Sequence, residues 1–410
     1  MSSRVSREPP RSTARRALIL VENLSVPLDR RVWQQSLTLQ RAGYEVVVVC
    51  PQGRDRDTEP FARIEGVEIH RFPLAPSDGG ARGYGREYAQ ALWRIARLVR
   101  RLSRERHFDI VQACNPPDLL LFAALPLKRG STRFVFDHHD LVPELYLSRF
   151  GRGQDLVYRA TLALERLSFR LADVVIATNE SYRHVALTRG GKRVDDVFVV
   201  RNGPDVTRFR PREPDPSLRH GRSHLIAYVG MMGPQDGVDH ALRALAALRR
   251  TREDWSAVFV GDGDMLAGMR ALSGELGLSD AVEFTGLVDQ DEVVRVLSSA
   301  DVCIAPEPSS PSNDVSTMIK VGEYMAMGKP VACYDLAETR FTAGDAALYA
   351  RLDDVDDLAR CIDRLLKDGD LREKLGSAGR DRVDKVLSWE HSEPHLLAAY
   401  ERALSRRKAA

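Results

Sequence analysis

The sequence predicts an α/β protein of two doubly wound domains facing a central cleft. Three observations predict it. The chain has 410 residues, more than one domain of ordinary size holds. Short continuous apolar runs such as Val46–Val49 suit strands buried on both faces. Those runs alternate with amphipathic segments, the pattern of a parallel sheet covered by helices on both sides.

Taken in order, strands are expected at Ala17–Val21, Glu45–Cys50, Glu68–Phe72, Ile110–Ala113, Arg133–Phe136, Val174–Thr178 and Phe198–Val200. Helices are expected at Arg30–Ala42, Gly85–Arg106, Asp155–Leu171 and Ser181–Thr188. Asn202-Gly203-Pro204 then breaks the pattern, and Arg208–Ser223, rich in Pro, Arg and Asp, reads as a linker. The alternation resumes with strands at Leu225–Val229, Ala257–Gly261, Val282–Phe284, Val302–Ala305 and Pro330–Cys333. Helices are expected at Asp236–Arg250, Met265–Leu276, Asp291–Ser298, Ser316–Met327, Val355–Lys367 and Leu371–Val386. The expected organisation is a disordered basic arm (1–16), an N-terminal acceptor-side domain (17–207), a linker (208–223) and a C-terminal donor domain (224–387). A last helix (388–410) is placed to pack back across the domain junction.

Composition excludes several classes. Apolar residues make up 43% and charged residues 29%, which fits a folded globular chain. The longest apolar run, Leu119–Leu127, falls far short of the ~20 residues of a membrane span. The first sixteen residues lack the apolar core of a secretory signal. The 5 cysteines have neither metal-site nor redox spacing. A cytoplasmic protein is expected, with membrane association on the cytoplasmic face left open. Net charge is +2, yet the chain carries +10 up to Arg201 and −8 beyond it, so the first half is expected to meet something anionic. The first strand is followed by Glu22-Asn-Leu-Ser-Val-Pro27, without glycine, and the second ends in Cys50-Pro51. A nicotinamide site is therefore not expected, and no P-loop pattern occurs.

The second half is more informative. Its strands end in glycine at Gly230, Gly261 and Gly286, with Gly233 and Gly263 close behind. These are either ordinary turns or places where a ligand nears backbone amides. Ser316 or Thr317 is expected to cap a helix running to Met327 and to present amides to a phosphate. Lys320 lies one turn in, where it adds a full charge, and Glu323 lies two turns in, where a carboxylate can take both hydroxyls of a ribose.

In the first half, Phe136-Asp-His138-His139-Asp140-Leu-Val-Pro-Glu144 follows a strand directly. A metal reading is disfavoured because adjacent histidines project to opposite sides of an extended chain. A locally satisfied loop histidine is the other plain reading. Asp29 can cap the helix that follows, while Arg30 and Arg31 can reach a phosphate or an acidic acceptor. Asn115 lies in a strand-end loop with a capping Asp118, equally suited to capping and to acceptor contact. The helix at 84–106 carries seven arginines, either as a solvated face or as a contact for anionic lipid. Nucleic acid is not expected as a partner.

Glu323-Tyr-Met-Ala-Met-Gly-Lys-Pro-Val resembles the signature of family 4 glycosyltransferases, which have the GT-B fold. Tyr228-Val-Gly230, Val260-Gly-Asp-Gly263, Phe284-Thr-Gly286, Ala300-Asp-Val-Cys-Ile-Ala-Pro306, Val199-Val-Arg-Asn-Gly203 and Pro27-Leu-Asp-Arg-Arg-Val-Trp33 support it in that order. The resemblance spans about residues 17–405 and is nearest to bacterial members that build polysaccharides or decorate natural products.

The resemblance implies a retaining transferase that takes a UDP- or GDP-sugar, with a saccharide, lipid-linked or small-molecule acceptor, and needs neither metal nor other cofactor. It implies that Glu323 holds the ribose and that Ser316, Thr317 and Met318 meet the diphosphate or sugar. The turn Gly230, Met231, Met232, Gly233 would lie under the diphosphate, and Gly261, Gly263, Leu287 and Val288 would flank the base. His139 or His138 would bond a sugar hydroxyl, with Asp140 orienting the ring. Two departures stand out. The family's first glutamate falls at Val315, which makes the neighbouring Asp314 a candidate substitute. Its arginine and lysine in the glycine turn fall at Met231 or Met232 and at Gln235 or Asp236, which makes Lys320 the candidate replacement, helped by Arg30 or Arg31. A nucleotide-sugar epimerase of the same fold and an inactive sugar-nucleotide-binding subunit are the alternatives.

Overall fold

A computed structural model describes residues 14–53, 56–74, 80–128, 131–150 and 153–405. The expected basic arm thus lies, up to residue 13, outside the described residues. The chain forms two compact units. The first takes in the chain to Asp137, Ser168–Val175 and the chain from Leu397; the second takes in His138–Leu167 and Ile176–Leu396.

The first sheet has eight strands: β1 (Arg16–Leu20), β2 (Glu45–Pro51), β3 (Phe61–Ile64), β4 (Val67–Phe72), β5 (Ile110–Cys114), β6 (Arg133–His138), β7 (Val174–Ala177) and β8 (Val197–Val199). Their order is β3-β4-β2-β1-β5-β6-β7-β8. β4, β2, β1, β5 and β6 pair parallel, and β3 pairs antiparallel with β4. This edge strand was not expected; its half-exposed alternation carries too little apolar signal. Val46–Val49 in β2 are buried on both faces, as the continuous run requires. The accompanying helices are α1 (Arg30–Arg41), α2 (Gly80–Glu105), α3 (Leu121–Lys128), α4 (Val142–Phe150), α5 (Leu156–Leu171) and α6 (Glu180–Thr188).

The second sheet holds β9 (His224–Val229), β10 (Trp255–Val260), β11 (Val282–Gly286), β12 (Val302–Ala305), β13 (Val331–Tyr334) and β14 (Ala347–Ala350). Its order is β11-β10-β9-β12-β13-β14, parallel throughout. The order reverses between β9 and β12, the place where such sheets receive ligands at their carboxyl ends. The helices are α7 (Val238–Arg249), α8 (Leu266–Glu275), α9 (Gln290–Ser299), α10 (Ile319–Ala326), α11 (Ala337–Ala343), α12 (Val355–Lys367), α13 (Gly369–Arg382) and α14 (Trp389–Ser405). One apolar core packs α7 and α12 on one face of this sheet, and another packs α9 and α10 on the other.

The expected linker is a fastened strap. Phe209 and Leu218 are buried in the second core. The amides of Arg212 and Asp215 donate to Ser298 and Ser299 at 3.0 and 2.8 Å. Polar composition hid two anchors that only the packing uses. The expected helix over Leu371–Val386 ends at Arg382 and gives way to a wider π turn at Val383–Leu387.

Candidate functional site

In the second unit, α10 begins at the carboxyl end of the sheet, after the loop that leaves β12. Neither Ser316 nor Thr317 caps it. Met318 holds the capping position, and a 3-10 turn at Asn313–Val315 precedes it. The two hydroxyls are spent elsewhere. Ser316 Oγ donates to Ser312 O at 2.8 Å and lies 3.0 Å from the Tyr182 hydroxyl. Thr317 Oγ1 accepts from Asn179 Nδ2 at 3.0 Å. Asn179 also donates to Val315 O and caps α6 through Tyr182 N. The start of α10 is therefore clamped to the start of α6. Its first-turn amides still lack helical carbonyls ahead of them, as at any helix start.

Lys320 lies in that first turn with its side chain 11% exposed. Its ammonium donates to Glu307 and, at 2.9 Å, to the Tyr228 hydroxyl, and stands 4.3 Å from the Tyr228 ring centre. Burial pulls the lysine pKa down, but Glu307, then Tyr228 and Asp236, more than reverse this and hold it above its ordinary value. The ammonium also lies 2.8 Å from where a side chain on Gly230 would begin, so a larger residue there would displace Lys320. Glu323, one turn further, is 8% exposed. Glu307, between Pro306 and Pro308 just past β12, is the acid the sequence reading missed.

The glycine turn differs from expectation. Gly230 N donates to Val260 O, Met232 N to Asp262 O, and Gly233 N to Asp236 Oδ2 at 2.9 Å. These three amides are occupied by the protein. Burial raises the Asp236 pKa, against the pull of Lys320 and the Gly233 amide. Met232 is core, while Met231 is exposed. Gly261 and Gly263 serve backbone packing: a Cβ on either would lie 1.9 Å from Gly230 O or 2.6 Å from Met232 O. Leu287 is exposed and Val288 packs on the core. Asp314 is exposed, and its carboxylate accepts from Ser310 N and Ser309 Oγ at 3.2 Å each.

The same unit holds the histidine segment. His138 is 0% exposed, 3.4 Å from Glu165, with its ring beside Tyr182. His139 and Asp140 are half-buried. Of the two histidines named, His139 is the one with surface to offer. Burial raises the Asp140 pKa, with His139 and His138 pulling the other way. Glu144 is drawn off by Arg189, which bridges it at 2.5 Å and Glu165 at 2.6 Å.

In the first unit, the expected acceptor contacts are mostly structural. Asp29 accepts from Val32 N at 3.0 Å as the cap of α1. Arg31 is buried in an ion pair with Asp137 at 2.8 Å and so is not available to a phosphate. Asn115 is buried and donates to Asp118 at 3.2 Å. Arg30 is exposed. Unforeseen was Glu22, two residues past β1 and 2% exposed, whose Oε1 has no hydrogen-bond partner among the described residues. Burial, then the charge of Glu87, push its carboxyl up to about 8.

Two family models cover most of the chain: Glycosyltransferase Family 4 over residues 28–208 and Glycosyl transferases group 1 over residues 223–368. The chain is 30% identical over 368 residues to a GDP-mannose-dependent alpha-(1-6)-phosphatidylinositol monomannoside mannosyltransferase of Mycobacterium tuberculosis, covering 85% of this chain and 87% of that one. It is 30% identical over 260 residues to a 2-deoxystreptamine glucosyltransferase of Streptomyces kanamyceticus, covering 60% of this chain and 65% of that one. Among solved structures, the Anabaena protein HepE in complex with UDP and glucose superposes with a TM-score of 0.70 at 16% identity, over 94% of this chain and 99% of that one. Two parallel-sheet α/β units of this kind are the GT-B architecture, and the enzymes that share it here transfer glycosyl groups. The chain belongs to glycosyltransferase family 4. The epimerase alternative gains no support from these relatives.

Proposed function

We propose that the enzyme is a retaining glycosyltransferase that takes a nucleoside-diphosphate sugar, UDP- or GDP-linked, and passes the sugar to a saccharide, lipid-linked or small-molecule acceptor. The observation that carries this is α10, which sets Lys320 in its first turn and Glu323 one turn on at the carboxyl end of the second sheet. Glu323 takes the ribose hydroxyls, and the first-turn amides with Met318 take the diphosphate. The HepE complex with UDP and glucose supports a UDP donor by likeness of fold, and the named mycobacterial relative supports a GDP donor by likeness of sequence.

The bond from the anomeric carbon to the diphosphate breaks, and a bond from the acceptor oxygen forms on the same face. The acceptor proton passes to the departing phosphate. Negative charge grows on the diphosphate, and a fixed ammonium with fixed amides stabilises that charge without reorganisation. Lys320 is suited to this because Glu307 and Tyr228 hold it charged and in place. His139 bonds a sugar hydroxyl, and Asp140 orients it.

Calorimetric titration of UDP and GDP into the wild-type protein and Glu323→Ala tests the assignment. One nucleotide is expected to bind the wild type, and the variant to bind it at least about tenfold more weakly, or about 1.4 kcal/mol. Unchanged affinity removes Glu323 from the site.

A further inference from the structure

The strongest feature outside the donor site is the outer face of α2. Trp93 is 62% exposed, and Arg97, Arg100, Arg101 and Arg104 are all exposed. At 3.6 residues per turn these five positions fall within an arc of about 100° and span about 16 Å of helix. Ala91, Ile95, Val99 and Leu102 occupy the opposite side and are buried. The apolar stripe thus holds the helix to its own unit and turns the basic face straight outward. Arg97 lies over the Trp93 ring at 5.8 Å.

Several other arginines are matched by carboxylates, as in Arg249 with Asp280 at 2.5 Å and Arg340 with Asp335 at 2.5 Å. Among the described residues, no carboxylate pairs with Arg97, Arg100, Arg101 or Arg104. An unmatched row of like charges repels itself and gains only when an anion covers it. A tryptophan at the N-terminal end of that row costs solvation in water, and its amphipathic ring suits the headgroup level of a bilayer.

We propose that this face of α2 docks the enzyme on an anionic lipid surface, with the arginines on headgroup phosphates and Trp93 at the interface. A polybasic row near such a surface binds by charge that salt screens, and one aromatic side chain adds a contact that salt does not. A single-stranded nucleic acid would also meet the charges and stack a base on the ring, and an RNA oligonucleotide separates that occupant from the lipid surface.

The full chain is sedimented with vesicles of phosphatidylcholine alone and of phosphatidylcholine mixed with phosphatidylglycerol. Binding to the mixed vesicles is expected to exceed binding to the neutral ones at least tenfold and to fall as salt rises. The combined Arg97→Glu, Arg100→Glu, Arg101→Glu, Arg104→Glu variant is expected to lose it, with an unchanged melting temperature as the check on folding. Trp93→Ala is expected to lower the part that survives high salt. Equal binding to both vesicles, full binding by the reversed-charge variant, or binding to an RNA oligonucleotide with none to the vesicles overturns the proposal. Sedimentation reads neither donor nor turnover, so its failure leaves the donor-site reading standing.

Discussion

Single side chains decide most of the chemistry. Glu22 is buried two residues past β1 and faces the charge of Glu87. Its folded carboxyl titrates at about 8 against 4.5 in the unfolded chain. Between those values the folded state holds the extra proton, so stability falls as pH rises from about 5 to about 8 and then levels off. Glu22→Gln removes the titration. In urea unfolding the variant is expected to gain on the order of 3 kcal/mol relative to wild type across that window. Parallel pH curves for the two proteins would refute the buried acid. Nothing in the local pattern announced Glu22, because a glutamate after a strand reads as solvent-facing until its cover is known. Lys320 was legible from the sequence, but its partners were not: Glu307 lies 13 residues away and Tyr228 lies 92 away.

At the scale of elements, the first unit is pinned by a buried polar network. Asp137 at the end of β6 accepts from Arg31 and Gln35 of α1 at 2.8 and 2.7 Å, and from Gln112 of β5 at 3.1 Å. Gln112 in turn accepts from Tyr400 of α14 at 2.8 Å, and Tyr400 meets the Tyr44 ring edge-on. Asp137→Ala leaves the Arg31 guanidinium buried without its carboxylate, which costs about 3–5 kcal/mol. Urea unfolding should show that loss; a change below about 1 kcal/mol would mean the network is not structural. Strands with continuous apolar runs were readable, since burial on both faces leaves a plain mark. The cap of α10 was misplaced because Ser316 and Thr317 look like caps locally and are claimed by Tyr182 and Asn179, more than 130 residues earlier. The strand-end glycines were recognised as special, but one reason for them was not legible: a Cβ on Gly261 or Gly263 would meet the backbone of Gly230 or Met232.

Across the whole chain, two sheets, one of eight strands with an antiparallel edge strand and one of six parallel strands, give the GT-B architecture. The second unit gathers the start of α10, the Lys320–Glu307–Tyr228 cluster and the His139–Asp140 segment. Charge divides along the chain as well, with the excess of arginine in the first half displayed on α2. The order of motifs made the fold legible, because each strand end carried its own short signature. The acceptor side was hardest to read, since Arg31 and Asn115 are polar residues at strand ends that turn inward. The central claim is that α10 anchors the donor. A crystal structure of the enzyme with UDP or GDP tests it most directly. The account predicts the Glu323 carboxylate within hydrogen-bond distance of both ribose hydroxyls and the diphosphate at the first turn of α10 beside Lys320. A nucleotide bound away from α10, with Glu323 turned into packing, would contradict it.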